Sequence, residues 1–154
     1  QSIRNLVAKM KLVPIKELTE GARLLFCEDS IVRGTQLRDT LERIYTYGAR
    51  EIHMRPACPP LVYGCKFLNF SRLQSDLDLA ARTAIRKIDS RENPALEEFT
   101  NEESDKYHAM IEIIRKRKKL TSLQYQKLDD MIDAIGLPKD KLCTYCWDGR
   151  DIKG

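Results

Sequence analysis

Residues 24–36 constrain what this chain can fold into more than any other stretch. Leu24, Leu25, Phe26 and Cys27 form a short apolar run that reads as a buried β-strand. The run ends in two adjacent carboxylates, Glu28 and Asp29, and a short loop with one glycine, Gly34, follows. From Thr35 onward, Leu37, Leu41, Ile44 and Tyr45 fall on one stripe of an amphipathic helix. Strand, loop and helix N-terminus bring free backbone N–H groups and the positive end of the helix dipole to one spot, which makes an anion site. Gly34 lets the backbone come close to a ligand, and Ser30 and Thr35 add hydroxyl donors. The acidic pair lies where a sugar's vicinal hydroxyls would sit if its phosphate filled the loop.

The rest of the chain reads as α/β. Ile15–Glu20 is a short helical turn stopped by Gly21, and Gly48 caps the helix that starts near Thr35. Glu51–Arg55 is a second strand, with Ile52 and Met54 alternating. Strand, helix and strand in succession predict parallel strands joined by a right-handed crossover. Residues 56–73 are loop-rich, and Ser75 to Ile88 is a helix with Leu77, Ala81, Ala84, Ile85 and Ile88 on one face. Ser90 to Pro94 is a break. Beyond it, Tyr107, Met110, Ile111 and Ile114 mark a helix that ends in the basic run Arg115 to Lys119. Cations there complement the helix dipole, so the run reads as a solvated helix end rather than a nucleic-acid surface. Leu128, Met131, Ile132 and Ile135 mark a last helix, capped by Gly136 and stopped by Pro138.

Composition narrows the function classes. The 154 residues amount to about one domain, and the net charge of +4 is too small to imply a nucleic-acid partner. No apolar stretch approaches the ~20 residues of a membrane span. Five cysteines, an odd number, point to a reducing compartment such as the cytoplasm, with metal-binding or packing roles. The chain opens Gln1-Ser2-Ile3-Arg4 without a preceding Met, so it reads as a piece of a longer protein. Cys143-Thr144-Tyr145-Cys146 can bite one metal, either zinc or an iron–sulfur cluster, though each such site needs about four ligands. A redox dithiol and plain buried thiols are the other readings. Cys27, inside the strand, reads as core, and Trp147 as a cover over the Cys-x-x-Cys. His53 and His108 read as packing or surface residues.

The loop resembles the phosphoribosyl-pyrophosphate loop of the type I phosphoribosyltransferases. Asp-Ser-Ile-Val-Arg-Gly-Thr, residues 29–35, is similar to one branch, the amidophosphoribosyltransferases that open purine biosynthesis. Met10-Lys11-Leu12, Glu20-Gly21 and the Pro59-Pro60 turn extend the resemblance, which covers roughly residues 1–89 and 120–150. Two departures stand out: the family usually has Asp-Asp at Glu28-Asp29 and Thr-Thr at Thr35-Gln36. The resemblance implies a type I phosphoribosyltransferase fold, a parallel sheet with flanking helices. Residues 1–89 would be the C-terminal half of that domain, and 90–154 a helical C-terminal extension ending in the Cys-x-x-Cys tail.

The family's activity transfers the phosphoribosyl group of phosphoribosyl pyrophosphate to glutamine-derived ammonia. By resemblance, Ser30, Arg33, Gly34, Thr35 and Gln36 cradle the 5-phosphate. Glu28 and Asp29 meet the ribose hydroxyls and lie near Mg2+, which prefers oxygen ligands. Lys11, with Lys9, sits on a mobile loop over residues 1–13 and neutralises the pyrophosphate. Some members carry a 4Fe–4S cluster held by a C-terminal Cys-x-x-Cys and a cysteine just past the Pro-Pro turn, which makes Cys65, Cys143 and Cys146 three of four ligands. The fourth lies further N-terminal in the family, with Cys58 or Cys27 as substitutes. The longer spacing between Cys65 and Cys143 departs from the family pattern. A glutaminase portion of the same protein and a homo-oligomer are the implied partners. The rival readings are a base-salvage phosphoribosyltransferase, which would share the loop but not the cysteines, and a non-catalytic regulator that senses phosphoribosyl pyrophosphate.

Overall fold

The strand that leads into the loop is half-buried rather than core throughout. In the computed structural model, which describes residues 13–33, 35–65, 67 and 78–151 (for Thr35 and Gln36 the backbone only), β1 spans Arg23–Glu28. It follows a single helical turn, α1 (Lys16–Thr19), and leads into α2 (Thr35–Thr46) and β2 (Glu51–Pro56). β1 and β2 are parallel, with Leu24 opposite Ile52 and Phe26 opposite Met54. A short third strand, β3 (Ser122–Leu123), lies parallel to the other side of β2, giving the order β1-β2-β3. Between β2 and β3 the chain forms α3 (Ala80–Ile88), α4 (Glu97–Thr100) and α5 (Asp105–Arg117). After β3 come α6 (Leu128–Ile135), a 3-10 turn (Lys139–Lys141) and α7 (Tyr145–Asp148).

Both crossovers step in the same direction, and right-handed crossovers that do so lay their helices on one face of a sheet. Ile52, Met54 and Leu123 accordingly join Leu41 and Ile44 of α2, Ala84 and Ile85 of α3 and Met110 and Ile114 of α5 in one core, with Leu24 and Phe26 against it. The other face carries Leu25, opposite His53, which is in turn opposite Ser122. Leu25 is 63% exposed there, and Cys27 is exposed beside it, so Cys27 is not a core residue. Strand alternation decides this: Leu25 and Cys27 are each one residue on from the half-buried Leu24 and Phe26, and so point to the opposite face. His53 holds a polar ladder on this face, bonding Ser122 Oγ through Nδ1 (2.8 Å) and Glu51 Oε2 through Nε2 (3.1 Å).

The segment after residue 89 contributes a strand as well as helices, and it shares the core of the earlier segment. Phe99 of α4, fully buried, sits with Met110, Ile114 and Leu120 in the same cluster as Ile52. Ser104 caps α5 by accepting the Tyr107 N–H (3.0 Å). The helix over 75–88 starts only at Ala80 within the described residues, after an extended Leu79, and residues 75–77 lie outside them. Ile135, expected on the buried stripe of α6, is 50% exposed, because only Ile132 of that helix is buried. Gly48 and Gly136 adopt positive φ at the ends of α2 and α6, as their cap positions predict. No helix among the described residues is long and apolar enough to cross a membrane.

The basic run at the end of α5 is not uniformly solvated. Arg115 is tied to Glu112 and donates to the Leu120 carbonyl (2.6 Å), while Lys118 is buried. Burial, then the charges of Arg117 and Arg38, hold the Lys118 ammonium well below its ordinary range, at about 8, against the opposing pull of Asp39. Below pH 8 the amine is protonated folded and unfolded, and the cost of burying its charge is present in full. Between about pH 8 and 10.5 the folded chain has released a proton that the unfolded chain still holds, so stability rises with pH in that window. The raised Tyr107 and Tyr125 phenols act the opposite way above pH 10. The stability of the native chain relative to Lys118→Met should therefore improve from pH 8 to 10 in denaturant melts. A constant difference would show that Lys118 does not titrate there.

Candidate substrate loop and thiol cluster

The carboxyl ends of parallel strands are where open α/β sheets bind ligands, because loops and helix N-termini gather there. Here Glu28 is paired with Pro56 at the ends of β1 and β2, and the Glu28 carbonyl accepts the Ala57 N–H at 2.8 Å. Glu28 and Asp29 are both exposed at this edge. Asp29 Oδ1 accepts the Ser30 N–H at 2.6 Å, which turns the chain out of the strand. Ile31 is 3% exposed and anchors the loop in the main core, and the Val32 carbonyl accepts the Ala80 N–H at 2.8 Å. Arg33 is exposed, and α2 begins at Thr35. Gly34 lies outside the described residues, as do Lys9, Lys11 and the rest of the expected mobile loop except Val13; of Thr35 and Gln36 only the backbone is described. The arrangement offers helix N–H donors to an anion and, a few residues away, two carboxylates to hydroxyl groups or a hard cation.

The C-terminal tail folds back against the segment after Pro60. Gly136 and Pro138 turn the chain, and the Cys146 carbonyl accepts N–H bonds from Val62 (2.9 Å) and Tyr63 (3.0 Å). Thr144, buried, donates to Asp148 Oδ1 at 2.9 Å and closes α7 internally. Gly149 then takes a φ of 75°, where a Cβ would come within 2.8 Å of the Tyr63 ring, so only glycine fits. The fold-back puts Cys146 in hydrogen-bonding contact with Cys65 and within electrostatic reach of Cys143. Burial first, then the Cys65 and Cys143 thiols, push the Cys146 thiol up to about 12. Two soft donors are thus in contact and a third is near, the donor type that an iron–sulfur or zinc site takes. Among the described residues, however, no three His, Cys, Asp or Glu side chains are arranged ready to hold a metal ion.

The structure adds two residues that motif reading did not connect to the loop. Cys58, buried, forms a small satellite core with Leu61 and Leu79, and Val32 of the loop and Trp147 of the tail both pack against it. Burial raises the Cys58 thiol, the nearby Trp147 indole N–H lowers it, and the Asp29 carboxylate raises it. Trp147 therefore packs on the same small core as Val32 of the loop. The signal in the sequence was its position directly after Cys146, but only the folded chain shows what it meets.

A three-stranded parallel sheet with flanking helices, and a loop running from the carboxyl end of β1 into a helix N-terminus, matches the phosphoribosyltransferase type I fold. No family model matches the chain. An amidophosphoribosyltransferase of Methanothermobacter thermautotrophicus is 32% identical over 149 residues, covering 97% of this chain and 26% of that protein. Amidophosphoribosyltransferases of Mycobacterium tuberculosis (31% over 150 residues) and Mycobacterium leprae (33% over 151) each cover 97% of it. Among solved structures, a glutamine phosphoribosylpyrophosphate amidotransferase from B. subtilis complexed with ADP and GMP superposes with a TM-score of 0.65. It is 24% identical and matches 99% of this chain but 29% of its own. The chain is thus a homologue of one part of the amidophosphoribosyltransferases, and it spans about a quarter of the length of the curated relatives it matches.

Proposed function

We propose that this chain supplies the sugar-phosphate site of an enzyme that moves the phosphoribosyl group of phosphoribosyl pyrophosphate onto glutamine-derived ammonia. The products are phosphoribosylamine and pyrophosphate, in the first committed step of de novo purine biosynthesis. The observation that carries the reading is the exposed Glu28–Asp29 pair at the carboxyl end of β1, running directly into the loop and the N-terminus of α2. Backbone N–H groups of residues 33–36, with the Ser30 and Thr35 hydroxyls, would hold the 5-phosphate. Asp29, already turned by its bond to the Ser30 N–H, would accept from a ribose hydroxyl, with Glu28 beside it. Lys11 would close over the pyrophosphate. Mg2+, when bound, neutralises the leaving pyrophosphate, and the acidic pair offers it oxygen ligands. The contribution of these residues is to fix the sugar and keep water from its reactive carbon.

The contact of Cys146 with Cys65, with Cys143 nearby, favours the amidotransferase over a base-salvage enzyme or a regulator, neither of which calls for it. These thiols would hold an iron–sulfur cluster or zinc and staple the tail to the sheet domain. The glutaminase portion would lie elsewhere in the same polypeptide, which would be cytoplasmic and oligomeric. The sheet face that carries Leu25 and Cys27, both exposed among the described residues, is a surface that such a portion would cover.

Calorimetry on the intact protein should show saturable binding of phosphoribosyl pyrophosphate in the presence of Mg2+. Protein purified without oxygen should also be brown and carry iron in proportion to protein. No binding heat would remove the substrate assignment. Colourless protein with stoichiometric zinc would keep the thiol site and change its metal.

A further inference from the structure

The loop and the tail meet beneath the candidate site through a core separate from the main one. Its buried members are Cys58, Leu61 and Leu79, and both Val32 and Trp147 pack against them. Two of the loop's backbone anchors are bonded to neighbours of these same residues. Ala57, next to Cys58, donates to the Glu28 carbonyl, and Ala80, next to Leu79, donates to the Val32 carbonyl. A shift of Cys58 or Leu79 is therefore passed on to the last residue of β1 and to the middle of the loop.

Trp147 is placed to hold both. The bonds from Val62 and Tyr63 to the Cys146 carbonyl fix the backbone one residue before it. Its indole nitrogen is buried and has no hydrogen-bond partner among the described residues. The Cys58 sulfur lies near that N–H and within electrostatic reach of the Asp29 carboxylate. Three buried side chains make a core in which one indole is a large share of the contact area.

Resting on the reading that residues 28–36 take a sugar phosphate, we infer that Trp147 is a positioning residue for that loop: the tail's indole holds Cys58 and Val32 so that the acidic pair and the loop amides keep their ligand-ready spacing. Ligand affinity at the loop and order in the tail are then linked, and each must affect the other to the same degree. The tail's thiol cluster is thereby coupled to substrate binding without touching substrate.

Trp147 is the single tryptophan of this chain, so it reports on itself. Ribose 5-phosphate, which needs only the loop and the acidic pair, is the probe. In the full chain it should shift the amide resonances of residues 30–33 and the Trp147 emission with one common midpoint. Trp147→Leu, studied below its melting temperature, should weaken the midpoint of the amide shifts about fivefold or more. A merely structural tryptophan would lower the melting temperature and leave that midpoint alone. If the loop amides titrate while Trp147 emission stays flat and the Trp147→Leu midpoint is unchanged, the positioning role is wrong and the sugar-phosphate reading stands. If the loop amides do not respond at all, both fall. Should Trp147→Leu fail to fold, Cys58→Ala decides by the same midpoint: weakened supports the linkage, and unchanged overturns it.

Discussion

Asp29→Asn should cost the intact protein about 2–5 kcal/mol of transition-state stabilisation in the proposed transfer, because that reading has the closed complex bury this carboxylate against the ribose. That is a loss of roughly thirtyfold or more in kcat/KM. The substitution keeps the side chain's shape and leaves its carbonyl oxygen able to accept the Ser30 N–H, so the turn out of β1 should survive. What it removes is the charge that a sugar hydroxyl or Mg2+ would meet. Melting temperature should barely move, since Asp29 is exposed and outside the core. Steady-state kinetics with phosphoribosyl pyrophosphate, beside a thermal melt, separates the two effects. Unchanged turnover would show that the acidic pair is an ordinary solvated strand end.

Phe99→Ala should be the most destabilising single substitution among these predictions, at about 3–5 kcal/mol. Phe99 is completely buried, and it joins α4 to the core made by β2 and α5. Its removal leaves a ring-sized hole in the cluster that also holds Met110 and Ile114 of α5, and a close-packed core has little freedom to collapse into it. A loss of that size is a large part of a small domain's stability. The whole chain should then unfold at lower denaturant, with the loop and the tail losing structure together. If instead only residues after 90 loosen, with β1 and β2 protected from hydrogen exchange, the segment after residue 89 is a separable unit. The shared core argues for the joint outcome.

Much of the candidate site was legible before folding because its signals are local. An apolar run, two carboxylates and a helix stripe within thirteen residues define a strand, a turn and a dipole, none of which needs a distant partner. The two glycine caps at Gly48 and Gly136 were equally local, since a positive φ is a property of one residue. The end of α5 broke the same rule: Lys119 takes a φ of 56° with no glycine to mark it. It is held there from across the fold, where Tyr45 Oη donates to its carbonyl at 2.7 Å and Glu42 pairs with its ammonium.

By itself, the sequence determined which short segments become strands, helices and caps, and that a loop and a helix N-terminus follow an acidic strand end. Those outcomes depend on residue type, on period and on neighbours within a turn or two. The tertiary structure alone decided which side of each element is buried, and so what each residue is for. Cys27 looked like core and is exposed, because both crossovers lay their helices on the opposite face of the sheet. Lys118 looked solvated and is buried, because α5 ends against α2. Trp147 shares a small core with Val32 of the loop, which its place after Cys146 did not reveal, because the tail folds back beside Val62 and Tyr63. Burial is a relation between segments far apart in the chain, and no local pattern encodes it.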